Sequence, residues 1–519
     1  MNKATVALED AFGNQTAFRE GGEGAVAILW AVMAGLLPLF FGGVTGAAQL
    51  WRETLSCACI LLWSITLFRQ RRLPRCPSGL VIPCALIVLT GWVGALNPSF
   101  QFQGYRSGFV SLSDSPVWLP SAVDSASAVK AMQHWTLVLA VLLMLTDLCS
   151  ERQVRSNIRT GILLGGLAVL FIGLAQKLAD ARTVLGSGKG ANQPFFGTFI
   201  YPGAAGAYFN LLFPGFCLAA AKPGWSRAVG TAGIAGVFVS WLWNTSRIST
   251  FIGVLTACSV LCLLFLKLRA GGSSWMCRER AQLFRRHRTG IAASCLLLLL
   301  TAYVFPVPPQ FSKWIAYSGQ VFGPNPRFEA MKVCVQIAGD SGVWGMGPGA
   351  FPLVFPYYAA QSESLETLRG FWRHAHCDYL EFLIEWGWLG SLPWMWLGGC
   401  IALKSVKQFR SRPVLSSWET LCTAAALGLV CLHAVLDSPL QNPSVLMVAL
   451  FWAASAVSKP DGPDGPEAAR APDLSPREFE ARTQGRPSRR LQEGTGARRR
   501  PAPSQDQKRS APRASTNRR

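Results

Sequence analysis

The strongest constraint on this chain is a series of twelve apolar, nearly uncharged segments. Each is close to the ~20 residues that a helix needs to cross a bilayer. Their approximate limits are 24–42, 53–69, 79–95, 134–150, 159–177, 203–221, 227–244, 249–268, 290–306, 382–403, 419–435 and 441–457. Of the 519 residues, 50% are hydrophobic and 15% charged, where soluble domains are about a quarter charged. The expectation is an all-α polytopic membrane protein with about twelve transmembrane helices.

Basic residues give the direction of threading. Arg69, Arg71, Arg72 and Arg75 follow the second segment, and Arg152, Arg155 and Arg159 the fourth. Lys222 and Arg227 follow the sixth, Lys267, Arg269 and a group of arginines over 278–288 the eighth, and Lys404, Lys407, Arg410 and Arg412 the tenth. Every even-numbered gap is basic, which places those gaps and both termini in the cytoplasm. The net charge of +21 is then a signature of topology rather than of nucleic-acid binding. Among the outward gaps, 307–381 between segments nine and ten far exceeds an ordinary connection and is nearly neutral. It is expected to carry the active site and short helices of its own, one from Arg327 to Ile337. The domain plan is a cytoplasmic N-terminus over 1–23, a membrane domain over 24–457 and a basic tail over 458–519. The tail is too poor in large apolar residues to bury a core and is expected to be disordered. Residues 1–20 are polar and the first apolar run continues into membrane-like sequence, so no cleavable signal peptide is expected. The fifteen cysteines show no CxxC and no metal-ligand spacing. No metal or cofactor is expected. Cys334 and Cys377 fall in outward sequence, where they either pair or stand as free thiols.

The stretch from His374 to Gly390 draws the eye first, because it holds two of only five histidines. Read as a helix, His376, Leu380, Leu383, Gly387 and Gly390 share one seam. The two glycines leave that seam bare for another helix to pack close. A lone histidine at a membrane interface is most often a plain polar residue. This one ends a long loop and heads a glycine-bearing helix, and an imidazole can act as general base or proton shuttle near neutral pH. His374 ranks as an orienting or structural neighbour. Arg247 lies in a very short turn between two apolar segments. Arginine beside a membrane span is a functional candidate by default, and guanidinium suits bidentate phosphate binding; snorkelling to the interface is the competing reading. Arg327, in Asn325-Pro326-Arg327, would alone be a solvated residue at a helix start. Gly345 to Phe351 repeats glycine at alternate positions but lacks the βαβ context of a nucleotide loop, and reads as a tight turn fixing the path of the chain. His433 and Asp437, four apart, share a helix face; they make either a structural contact between helices or a support for the site.

Together these residues resemble the O-antigen ligase family of bacterial membrane glycosyltransferases, which also includes O-antigen polymerases. The family's histidine, small polar residue and Gly-x-x-Gly correspond to His376, Cys377, Gly387 and Gly390. Ser246-Arg247 is similar to its Ser-Arg-Gly turn, with Ile248 in place of glycine. Asn325-Pro326-Arg327 and Gly345 to Phe351 are similar to elements of its large loop, and His433, Asp437 and Pro443 to a pattern in its penultimate span. Gly197-Thr198-Phe199 with Gly206-Ala207-Tyr208 resembles an earlier segment. Two departures stand out: Cys377 replaces Asn, Ser or Gln, and Tyr201-Pro202-Gly203-Ala204 replaces an Asn-Arg-Asn-His-like run. The resemblance implies a multi-pass protein of the bacterial inner membrane with its active site facing the periplasm. It implies a polyisoprenyl diphosphate-linked glycan as donor, and lipid A-core or a growing glycan as acceptor. In that scheme Arg247 and Arg327 bind the diphosphate, and His376 orients or deprotonates the acceptor hydroxyl. His374, Gly387, Gly390, His433 and Asp437 give support. Neither metal nor nucleic acid is involved. Ligase and polymerase remain open alternatives, with a flippase for lipid-linked sugar as a third; the absence of clear internal repeats weighs against the last.

Overall fold

The computed structural model describes residues 22–103, 108–112, 118–187, 195–244, 246–270, 326–362, 372–411 and 418–458. The first six helices are α1 Gly22–Leu36, α2 Gly46–Arg69, α3 Ser78–Leu96, α4 Ser125–Leu148, α5 Arg152–Leu178 and α6 Pro202–Ala220. There follow α7 Trp225–Trp243, α8 Arg247–Ala270, α9 Pro326–Asp340, α10 Phe351–Ala360, α11 Asp378–Ser411, α12 Trp418–Leu436 and α13 Pro443–Val457. Every expected span falls on a helix except the ninth, 290–306, which lies outside the described residues together with 1–21 and the tail beyond 458. Among the described residues seven helices, α1 with its continuation to Leu39, α2 to α6 and α12, are long and apolar enough to cross a membrane. The protein is a multi-pass membrane protein. One small exception to the all-α expectation is an antiparallel hairpin in the α3–α4 connection, β1 Phe100–Gln103 with β2 Gly108–Ser111.

Several helices start earlier than their apolar cores, and capping explains two of these starts. Thr45 accepts from the Ala48 N–H ahead of α2, and Asp124 accepts from the Ser127 N–H at 2.8 Å ahead of α4. A side-chain oxygen at the cap satisfies an N–H that the first turn leaves without a partner. A hydropathy pattern does not carry this signal.

The bundle is built around α6 and α13, which are buried along nearly their whole lengths. A helix apolar all round belongs in such a place. Around them, α1 and α5 cross with their backbones almost touching: a Cβ on Gly165 would collide with the Gly35 carbonyl, and one on Gly35 with the Gly161 carbonyl. Small residues four apart permit this approach, which substitutes van der Waals contact for the hydrophobic drive that lipid does not supply.

Polar clips tie the helices at the end opposite His376. Arg72 forks onto both Asp147 oxygens at 2.8 Å each and also reaches Glu23. Trp63 Nε1 and the Arg75 N–H complete the shell of Asp147 at 2.8 Å. Arg159 and Arg155 meet Glu419 at 2.6 and 3.3 Å, joining α5 to α12. The basic residues that mark topology in the sequence are thus also structural partners.

At the other end α9, α10 and the first turns of α11 form an apolar cluster of their own, with Val333, Cys334, Ile337, Phe351, Phe355 and Ile384 inside it. The helix expected over Arg327 to Ile337 is α9. Cys334 and Cys377 are both buried free thiols, so the disulfide alternative is not realised.

Candidate active site

α11 does not run unbroken from His376 to the membrane, as a helical reading of the sequence expects. Its first residue is Asp378, and His376 precedes it with φ of +51°. That left-handed conformation costs a non-glycine residue about 1–2 kcal/mol, so something must hold it. Glu381, one turn into α11, does so from within. Its Oε2 accepts the Ala375 N–H at 2.8 Å, and its Oε1 lies 2.9 Å from His374 Nδ1. His374 is therefore a structural neighbour of His376, anchored to a buried glutamate.

A second break lies at Gly387, where φ is +64°. The expected close approach of another helix is not found there. A Cβ on Gly387 would strike the backbone of Val343, Trp344 and Gly345, so the partner is the glycine-rich turn. The Met346 N–H donates to the Ile384 carbonyl at 2.8 Å, the Gly347 N–H to that of Glu385 at 2.9 Å, and the Leu389 N–H to that of Val343 at 3.0 Å. The turn fills the backbone valences that the helix break opens. Gly345, Gly347 and Gly349 all have positive φ, which glycine adopts freely. Gly390, by contrast, is packed less tightly: a Cβ there would make only ordinary contact with Trp386 and the Trp344 carbonyl. It is nonetheless buried.

Across the cluster, His376 Nδ1 lies 2.9 Å from Asp437 Oδ1. Asp437 stands one residue past the end of α12, and its Oδ1 also accepts the Ser438 N–H at 2.9 Å. Its Oδ2 accepts the Tyr201 hydroxyl at 2.6 Å. Tyr201 accepts in turn from Arg327 Nη2 at 3.0 Å, and that nitrogen is 3.9 Å from Asp437 Oδ2. Burial alone would raise the Asp437 carboxyl, but the His376 bond, the Arg327 charge and the Tyr201 bond outweigh it and bring the carboxyl down to about 2. Asp437 is thus an anion, and an anion requires a donor at His376 Nδ1. In the neutral imidazole that donor places the proton on Nδ1 and the lone pair on Nε2. The Trp372 ring meets the imidazole edge to face at 5.5 Å.

Asp378 secures the same corner from behind. Its Oδ2 accepts the Leu440 N–H at 3.1 Å, so the segment after α12 is held to the start of α11. Burial and the nearby Glu381 push its carboxyl well above the usual range.

His433 is buried and shares the face of Asp437, but its role differs from a side-chain partnership. Its carbonyl accepts the Asp437 N–H at 2.9 Å, while its Nε2 has no hydrogen-bond partner among the described residues. Arg247 is the exposed first residue of α8. The turn before it and the first turn of α8 are fastened to the start of α6. Asn244 Nδ2 donates to the Pro202 carbonyl at 2.9 Å, and Ser249 Oγ to that of Gly203 at 3.2 Å. Gly203 in turn packs so tightly that a Cβ would meet Asp437 Oδ2 and the Tyr201 ring. Arg247 therefore sits at the His376 end of the bundle, linked to Asp437 through the first turn of α6. Tyr201 and Glu381 were not among the residues expected from sequence. Glu381 had one signal, an acid in a first helical turn beside two histidines; Tyr201 had another, as the first residue of the run that departs from the family's polar segment.

A family model described as O-antigen ligase matches residues 232–395. The matched stretch contains Arg247, Arg327, His374, His376, Gly387 and Gly390 and ends before His433 and Asp437. No curated protein matches the chain.

Proposed function

We propose, on the premise that this chain belongs through residues 232–395 to the O-antigen ligase family, that it moves a glycan from a polyisoprenyl diphosphate carrier to an acceptor sugar hydroxyl. The acceptor we favour is lipid A-core, which makes the protein an O-antigen ligase. The membrane is the bacterial inner membrane, with the His376 end of the bundle facing the periplasm. That orientation follows from the basic gaps at the opposite end.

One observation carries the reading: His376, oriented by the Asp437 carboxylate at 2.9 Å, shares its cluster with the Arg327 guanidinium. A base and a cation in one cluster are what transfer from a diphosphate needs. The acceptor O–H gives its proton to His376 Nε2 as its oxygen bonds to the anomeric carbon. The bond from that carbon to the phosphate oxygen breaks, and the electron pair leaves on the diphosphate of the carrier lipid. Asp437 stabilises the imidazolium as it forms, in the way a buried carboxylate does in other His–Asp pairs. Arg327 and Arg247 stabilise the charge growing on the diphosphate. A single displacement of this kind inverts the anomeric centre.

The test supplies purified protein in liposomes with a polyprenyl diphosphate oligosaccharide and lipid A-core. Glycan attached to lipid A-core is the expected product. Longer lipid-linked glycan with no attachment would make the protein a polymerase using the same chemistry. Donor crossing the bilayer with no new glycosidic bond would overturn the enzyme reading in favour of a flippase.

A further inference from the structure

Tyr201 is the member of the cluster that the chemistry above leaves without a task. It caps the start of α6, and its hydroxyl stands between the anion and the cation of the site. A phenol has one proton and can accept as well. The proton goes to Asp437 Oδ2 at 2.6 Å, and the oxygen takes a hydrogen bond from Arg327 Nη2 at 3.0 Å. Packing fixes the ring: Gly203 leaves no room on one side, and the imidazole of His376 lies 6.2 Å away, centroid to centroid, on another. The phenol ring is thus packed against the first turn of α6 while its hydroxyl makes the bridge.

We propose that Tyr201 is a positioning residue whose hydroxyl spaces the Arg327 guanidinium from the Asp437 carboxylate, so that Asp437 serves His376 and Arg327 serves the diphosphate of the donor. The proposal rests on the functional reading above. Without the hydroxyl, a guanidinium already 3.9 Å from Oδ2 closes onto the carboxylate. Direct arginine–carboxylate pairs are short, often two-pronged and strong. A guanidinium engaged in that way is withdrawn from a phosphate ligand, and a carboxylate engaged in that way stabilises a protonated imidazole less. The interposed hydroxyl avoids both losses and still keeps the two charges near each other. Burial and the Asp437 charge also push the phenol well above its ordinary range, so it keeps the proton that the bridge requires.

The experiment uses the full-length protein in detergent and a short-chain polyprenyl diphosphate bearing no sugar. Tyr201→Phe keeps the ring and removes only the hydroxyl. It should weaken binding of this probe about tenfold, the scale of one charge-assisted interaction. It should also move the acid limb of the transfer rate to lower pH. In an Asp437→Asn background, where no carboxylate captures the guanidinium, the same substitution should leave probe binding unchanged. Unaltered binding and an unmoved acid limb in Tyr201→Phe would overturn the proposal. So would a tenfold loss that persists in the Asp437→Asn background, because the hydroxyl would then act by another route. Wild-type protein that does not bind the probe would overturn the functional reading and this proposal together, whereas binding that Tyr201→Phe leaves intact overturns the Tyr201 role alone.

Discussion

His376 sits at the junction of two separate supports, and each can be tested at the level of one side chain. Asp437 holds its Nδ1, and Glu381 holds the chain just before it. The Asp437 carboxyl lies at about 2 in the folded protein against an ordinary 3.8, so the native state binds fewer protons than the unfolded one. Stability from this group is complete above the ordinary carboxylate value and is lost as pH falls from there through about 2. The difference amounts to about 2 kcal/mol. Thermal unfolding of the purified protein should therefore drop across that interval. Asp437→Asn should lower stability at neutral pH and flatten the drop, and a variant that unfolds with the wild-type pH dependence would show that Asp437 is not the titrating group. The residues of this corner were partly legible in sequence. His376, Arg327 and Asp437 have side chains suited to proton transfer and phosphate binding. What joins them is contact between positions far apart in the chain, such as 201 with 437 and 327 with 201, and no periodicity encodes that. Tyr201 was marked only as the head of a run that departs from the family's polar segment, because a tyrosine before a proline at a helix start otherwise looks like any interfacial aromatic.

At the scale of elements, the helices were legible because each must hide an apolar surface about 20 residues long. Their caps and breaks were not. Gly387 and Gly390 look alike in sequence, three apart on one helix, yet only Gly387 breaks it. The cause lies elsewhere in the chain, in the turn from Val343 to Gly347 that bonds into the gap. The two glycines should accordingly respond differently to the same change. Gly387→Ala must hold φ of +64° and push the Gly345 backbone away. Conformational strain alone costs about 1–3 kcal/mol, and the loss of the turn should add to it, lowering both the melting temperature and transfer activity. Gly390→Ala meets only ordinary contacts and should leave both close to wild type. Equal effects at the two positions would contradict the loop-and-break arrangement. The glycine-rich turn itself was read correctly as a device that fixes the path of the chain. Its target, an opened helix rather than a neighbouring loop, is apparent only in three dimensions.

The whole molecule is a multi-pass membrane protein, similar over residues 232–395 to the O-antigen ligase family, with two unlike ends. One carries the histidine, its acids and Arg327. The other is clipped by buried arginine–carboxylate pairs. The second end should matter for stability and not for chemistry. Glu419→Gln leaves Arg155 and Arg159 facing a neutral amide, although their side chains are only 6% and 8% exposed. Glu419 itself is 34% exposed, so the cost lies between the ~1 kcal/mol of a surface pair and the ~3–5 kcal/mol of a fully buried one, and the melting temperature should fall while transfer per folded molecule stays unchanged. Reduced turnover in well-folded variant would show that the two ends are coupled. The division of labour between the ends was visible in the sequence as a charge pattern, basic in every even-numbered gap and nearly neutral around His376. The pattern could not show that Arg72, Arg155 and Arg159 also act as clips, because their acidic partners lie on distant helices.

The central claim is that His376 takes the proton of the acceptor hydroxyl. Its most direct test compares wild type with His376→Ala in liposomes supplied with polyprenyl diphosphate oligosaccharide and lipid A-core, measuring glycan transferred per folded molecule. The expected result is a loss of about 10²–10⁴-fold, the usual contribution of a positioned general base, with membrane insertion and melting temperature preserved. Transfer at the wild-type rate by a properly inserted His376→Ala protein would contradict the claim and remove His376 from the chemistry.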